Sequence, residues 1–238
     1  MSDSLVIIPT YNERENIRRM IETVFALPVP FDLLIVDDGS PDGTADIVRE
    51  LQTTHPDRLH LLERAGKLGL GTAYLDGFRW GLKHAKGYAY LFEMDADFSH
   101  PPADLIRLRA VCHDGPADVS VGSRYVRGGG VEDWPLDRRL LSYGASLYVR
   151  AVTWMPVKDP TAGFMCYSRH VLEAIDLDNI RFIGYAFQIE MKYTVRELGY
   201  RITEVPIVFT DRIAGKSKMQ GAIIKEAVLG VLGLRFRG

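Results

Sequence analysis

Two short aliphatic runs, Leu5-Val-Ile-Ile8 and Leu33-Leu-Ile-Val36, decide the fold class, because each is continuous and ends in polar turn residues. A strand with no apolar–polar alternation is buried on both faces, as in a parallel sheet covered by helices on each side. Between the runs Ile17, Met20, Ile21 and Val24 recur with the helical period, and Pro28 ends the segment. Asn12 at the start with Glu15 three residues on predicts a capping box. The unit is βαβ.

Outward from it the alternation continues. Helices are predicted over 43–51, 71–84, 140–154 and 188–198, and strands over 59–62, 88–94, 117–121, 164–167 and 202–208. This order predicts an α/β domain with an open, mostly parallel twisted sheet flanked by helices. Gly128-Gly-Gly130, Trp134-Pro135 and Arg138-Arg139 predict a mobile loop after the fifth strand.

A chain of 238 residues, 47% hydrophobic and 25% charged, can bury a sizeable core as one domain. Its 29 Lys and Arg against 31 Asp and Glu give a net charge of −2, which gives no reason to expect nucleic-acid binding through a broad basic field. Cys112 and Cys166 lie far apart without a CxxC pattern, which argues against a disulfide scaffold or zinc site and for a reducing compartment. The N-terminus lacks a basic stretch and a signal-peptide core, so a cytoplasmic location is expected. The apolar stretch 222–234 is broken by Lys225 and Glu226 and falls short of the ~20 residues of a spanning helix. As an amphipathic helix over 222–238 it would suit a membrane surface, or pack on its own domain.

Ligands of open α/β sheets bind at the carboxyl ends of the strands, so those positions carry the chemistry. After the fourth strand stand Asp95 and Asp97, hard oxygen donors one residue apart, suited to Mg²⁺ or Mn²⁺ bridging a diphosphate. The bland alternative is a helix cap before Pro101-Pro102. After the second strand Asp37-Asp38-Gly-Ser40 places a carboxylate at the same edge, where it can serve a ribose or base, or form a turn. Past the first strand come Pro9, Tyr11 and Glu13, an aromatic face and a third acidic group.

These residues resemble glycosyltransferases of family 2, and within it the dolichol-phosphate (polyprenol-phosphate) mannose synthases. The matching segments are VIIPTYNERENI, IVDDGSPDGT, KLGLGTAY, MDADFSHPP, GSRYVRGGGV, DPTAGF, GYAFQIEM and VPIVFTDRIAGKSKM, spread from residue 6 to 219. The resemblance implies a GT-A fold, with about 1–122 binding the nucleotide sugar and about 123–221 the acceptor. It implies that Pro9, Tyr11, Glu13, Val36 and Asp38 hold the nucleoside, and that Asp95, Ala96 and Asp97 form the metal and diphosphate segment. Ser99 stands where some relatives carry Gln as a further metal ligand, and Met165 where relatives often have Arg. Arg124, Arg212 and Lys218 match basic groups around the phosphates, and Arg124, Arg138 and Ser142 match acceptor-side positions. The implied reaction is transfer of mannose from GDP-mannose to a polyprenyl or dolichyl phosphate. UDP-glucose as donor, a saccharide acceptor, and an inert nucleotide-sugar-binding subunit are the alternatives.

Physical chemistry explains why few acid–base groups are needed. A phosphate monoester has a second pKa of about 6 and is already an anionic nucleophile at neutral pH. The site must instead hold two anions in line, a task of positioning and charge compensation. A lipid acceptor also implies peripheral contact with the cytosolic face of a membrane, through the acceptor region and the 222–237 segment, or recruitment by a small membrane subunit.

Overall fold

The computed structural model describes residues 2–184, 186–210 and 230–235. Strand β1 (Ser4–Thr10) pairs in parallel with β2 (Asp32–Asp37), and β2 with β3 (Leu59–Glu63). On its other side β1 pairs in parallel with β4 (Tyr90–Glu93). The seven-stranded order is β3-β2-β1-β4-β7-β5-β8, in which β7 (Met165–Ser168) runs antiparallel between β4 and β5 (Val119–Ser123). Strand β8 (Ile202–Pro206) closes the far edge in parallel with β5. A separate ribbon joins β6 (Gly130–Val131) to β9 (Val208–Phe209), so the expected loop contains paired backbone and a buried Trp134.

The continuous runs are buried on both faces. Val6 and Ile8 meet Ile17, Met20, Ile21 and Val24 of α1 (Arg14–Phe25) on one side. Leu5 and Ile7 meet Ala73, Tyr74 and Phe78 of α3 (Leu70–Lys83) on the other. A Cβ on Gly77 would lie 2.5 Å from Ile7 Cγ2, so this glycine sets how closely α3 approaches the sheet.

The capping box at α1 does not form. Asn12 adopts φ +58°, the cap position is Glu13, and no side chain of that segment caps the helix. The Asn12, Glu13 and Arg14 amides donate instead to Ser40, Thr44 and Asp42 side chains. Orphan amides at a helix start must find acceptors, and here the turn before α2 (Thr44–Gln52) supplies them. Helix α4 (Asp104–His113), not anticipated from the sequence, covers β5 and β7. After it, α5 (Leu136–Thr153) starts four residues earlier than expected, α6 (Arg169–Ala174) follows β7, and α7 (Phe187–Glu197) completes the layer.

Candidate active site

One cavity of about 470 Å³ runs along the carboxyl edge of the sheet. Its wall begins with Pro9, Tyr11 and Glu13 after β1, Asp38 after β2, and Lys67 and Gly69 before α3. It continues with Asp95, Ala96 and Asp97 after β4 and Arg124 after β5. Because β7 is antiparallel, the residues before it, Thr161 to Gly163, reach the same edge. Trp134 and Arg138 close the far end. Nine of the residues expected from the sequence therefore meet in one place: Pro9, Tyr11, Glu13, Asp38, Asp95, Ala96, Asp97, Arg124 and Arg138.

Three others stand back from it. Val36 is wholly buried in the core between β2 and α3, and a side chain there shapes the floor without lining the cavity. Ser99 is buried, and its amide donates to Asp97 Oδ1 at 3.1 Å. Ser142 accepts the Tyr125 hydroxyl at 2.7 Å, on α5. Arg212 and Lys218 lie outside the described residues.

At the β1–β2 end, Asp37 accepts Thr10 Oγ1 at 2.8 Å and the Ser40 amide at 2.8 Å, which makes it the turn-forming member of the pair. Asp38 faces the cavity and pairs with Arg64 at 2.6 Å. Burial pushes the Asp38 carboxyl up, and Arg64 only partly offsets it. Arg64 also donates to Thr72 Oγ1 at 2.8 Å and Gly69 O at 3.2 Å, tying the glycine-rich turn to the same edge. Lys67 stands 5.2 Å from the centre of the Tyr11 ring.

At β4, Asp97 is not a helix cap, since the cap position of α4 is Ala103 and no side chain bonds there. Phe98 adopts φ +63°, a left-handed conformation that is strained for a bulky residue and bends the DADFS turn into the cavity wall. His100 Nδ1 accepts the Asp95 amide at 3.1 Å, and burial lowers its pKa, so a neutral ring holds the turn. The donor set fits a hard divalent cation: Asp95 and Asp97 share one wall, and the buried Ser99 hydroxyl has no hydrogen-bond partner among the described residues. Among the described residues no three His, Cys, Asp or Glu gather, so a cation here would complete its shell with phosphate oxygens and water.

Beyond β4 the floor is a buried polar network. Asp159 accepts Arg124 Nε and Nη2 at 2.7 Å each and the Arg124 amide at 3.0 Å. Burial raises the Asp159 pKa, but the Arg124 charge and hydrogen bonds outweigh it and hold the carboxyl below its usual range. Lys192, fully buried on α7, donates to Ala162 O at 2.6 Å. Glu93 accepts Tyr167 Oη at 3.1 Å and Gln188 Nε2. Burial pushes Glu93 up to about 7 and Lys192 down to about 8. Sequence patterns singled out neither Asp159 nor Lys192 as functional. The available signal was Gln188 and Lys192 four apart on the otherwise apolar face of α7.

Residues 5–176 match the family described as Glycosyl transferase family 2. The chain belongs to that family. It is 47% identical over 235 residues to a polyprenol monophosphomannose synthase of Mycolicibacterium smegmatis, covering 99% of this chain and 88% of the relative. It is 45% identical to an undecaprenyl-phosphate mannosyltransferase of Micrococcus luteus, covering 95% and 91%. In fold it is similar to glucosyl-3-phosphoglycerate synthase of Mycobacterium tuberculosis with Mn²⁺, uridine diphosphate and phosphoglyceric acid, at TM-score 0.70 and 19% identity over 98% of this chain and 78% of that one. It is also similar to a mannosyltransferase of Pyrobaculum calidifontis in complex with GDP-Man and Mn²⁺, at TM-score 0.61 and 19% identity over 98% and 69%. The fold is GT-A, and the family 2 chain is a glycosyltransferase.

Proposed function

We propose that this glycosyltransferase moves mannose from GDP-mannose to the phosphate of a polyprenyl or dolichyl lipid, with inversion at the anomeric carbon. The observation that carries the proposal is that acidic Asp95 and Asp97 share one cavity with cationic Arg124 and Arg138. The names of the two bacterial relatives support the same substrate class. Residues 1–122 are the donor half and residues 123–221 the acceptor half.

In this reading Tyr11, Glu13, Asp38 and Lys67 hold the nucleoside, and Arg212 and Lys218 serve the phosphates. Asp95 and Asp97 would hold Mg²⁺ or Mn²⁺, which supplies charge compensation for the departing diphosphate. Arg124, fixed by Asp159, and Arg138, stacked 3.9 Å from the centre of the Trp134 ring, orient the acceptor phosphate. The Trp134 Nε1–H, buried at the cavity wall without a hydrogen-bond partner among the described residues, is a further donor suited to an anion. Tyr125 fixes Ser142 behind this group. An acceptor already ionised at neutral pH attacks in line, and one displacement inverts the centre.

The lipid must come from a bilayer, and no described helix is long and apolar enough to cross one. Helix α5, whose first turn carries Arg138, exposes Leu136, Leu140, Tyr143 and Leu147 along one stripe while burying Ser146 and Thr153, and Trp154 is exposed just past its end. An exposed apolar stripe beside the cavity mouth suits an interfacial helix lying in the headgroup region of a cytosolic leaflet. Of the tail residues that are described, Leu232 is exposed. Val231 and Leu234 pack on Val149, Met155 and Ile189, and Arg235 donates to Val152 O at 3.1 Å and stacks on Trp154. Ile223, Ile224, Val228, Leu229 and Arg237 lie outside the described residues.

The test is purified protein with Mn²⁺, a polyprenyl phosphate and radiolabelled GDP-mannose or UDP-glucose, scored for lipid-linked sugar with and without EDTA. Lipid-linked mannose made only with metal supports the proposal. Transfer only from UDP-glucose, or only to a saccharide, replaces its donor or acceptor. Activity that requires an added membrane fraction points to a recruiting subunit. Arg138→Ala should raise the KM for lipid phosphate more than for nucleotide sugar, and equal losses would reject the division of labour.

A further inference from the structure

Gln188 lies in the first turn of α7, is 4% exposed, and lines the cavity. Its Nε2 donates to Glu93, which is held from the other side by Tyr167, so the amide is fixed with its nitrogen pointing into the floor. Its Oε1 is buried and has no hydrogen-bond partner among the described residues. Buried carbonyl oxygens are almost always satisfied, and leaving one unmet is costly. Ionised phosphates present only acceptors and cannot satisfy it. A hydroxyl can.

The strand order says which hydroxyl-bearing part of the ligand lies there. The nucleoside residues stand at β1 and β2, the Asp95–Asp97 turn at β4, and Gly163 beside Gln188 at the start of β7, the next strand along the edge. A nucleotide sugar laid along that edge has its sugar on the far side of the diphosphate from the nucleoside, at β7. Gly163 borders that place, and a Cβ there would lie in van der Waals contact with the amide, 3.4 Å from Gln188 Nε2 and 3.7 Å from its Cδ.

We propose that Gln188 is a specificity-determining residue whose Oε1 accepts a hydrogen bond from one hydroxyl of the transferred hexose, with Glu93 as the residue that positions it. The inference rests on the nucleotide-sugar reading of the cavity. It predicts that the enzyme rejects a donor lacking that one hydroxyl, because the carbonyl is then left unmet.

The experiment measures kcat/KM with Mn²⁺ for GDP-mannose and for analogues lacking one sugar hydroxyl at a time, in the wild type and in Gln188→Met. The wild type should lose roughly 10- to 100-fold at one position, and the variant should lose almost nothing further at that position. A residue that only supports the fold would lower all donors together and leave every ratio unchanged, and that result overturns the proposal. A wild type that transfers no hexose from any donor overturns the functional reading and this inference with it. GDP binding by calorimetry reports folding. Should Gln188→Met fail to bind GDP, Gly163→Ala takes its place: it fills the space beside the amide at ordinary contact distance and should raise the KM for GDP-mannose with GDP affinity unchanged. An unchanged KM there overturns the proposal as well.

Discussion

The β1–β2 end of the cavity and the β4–β7–β5 end are held together in different ways. At the first, the turns are closed by near neighbours, Asp37 with Ser40 and Asp42 with Thr44, and single hydrogen bonds or ion pairs from Thr10, Asn12 and Arg64 tie them to the surrounding segments. At the second, Arg124 depends on Asp159, Lys192 on the Ala162 carbonyl, and Glu93 on Tyr167 and Gln188, partners 30 to 95 residues apart. A local turn can be altered with little effect beyond itself, whereas buried charges that satisfy one another fail together. The β1–β2 end is thus a set of separate devices, and the β4–β7–β5 end a single one.

Asp159→Asn tests that difference most severely. It leaves the buried Arg124 guanidinium without its countercharge and should cost about 3–5 kcal/mol in urea unfolding. Asp97→Ala should lower transfer on the order of 10²–10³-fold. Its stability should change by no more than about 1 kcal/mol. Equal destabilisation by both would break the comparison.

Much of the cavity edge was legible where its signals are local. Leu5 to Ile8 and Leu33 to Val36 are continuous because both sheet faces are covered, and Asp38, Asp95 and Asp97 follow their strands directly. The direction of β7 was not legible, since an apolar run of four residues has no polarity of its own. Helix α4 buries only Leu105, Leu108 and Cys112, too sparse a stripe to stand out. The cap of α1 was misplaced because its acceptors come from Ser40, Asp42 and Thr44, and a local motif cannot register partners about thirty residues away. The roles of Asp159 and Lys192 rest on distant pairing of the same kind.

Two smaller effects sharpen the contrast further. Replacing both Leu136 and Leu140 by Asp removes apolar surface that already faces water, so unfolding should shift by less than about 0.5 kcal/mol each. Flotation with anionic vesicles should nevertheless fall, and unchanged flotation would remove α5 as the membrane face.

The last test is in pH. Lys192 titrates at about 8 when folded and near 10.5 when unfolded, so between those values the unfolded chain binds more protons and stability rises with pH. Lys192→Met should flatten that rise in urea titrations from pH 8 to 10. An unchanged slope would show that burial does not lower the pKa of the Lys192 amine.

Strand β7 has a consequence for synthesis. β4 is complete at Glu93, but the edge it shows to β7 is covered only when Ser168 has been made, because β5, although earlier in the chain, pairs with β7 and not with β4. At roughly 5–20 residues per second the ribosome takes about 4–15 s to cross that gap. For those seconds Tyr90-Leu-Phe-Glu93 is an apolar strand with an open edge, a template for pairing with other nascent chains. The strand that brings Gly163 to the cavity is therefore also the one whose late arrival leaves β4 exposed to such pairing.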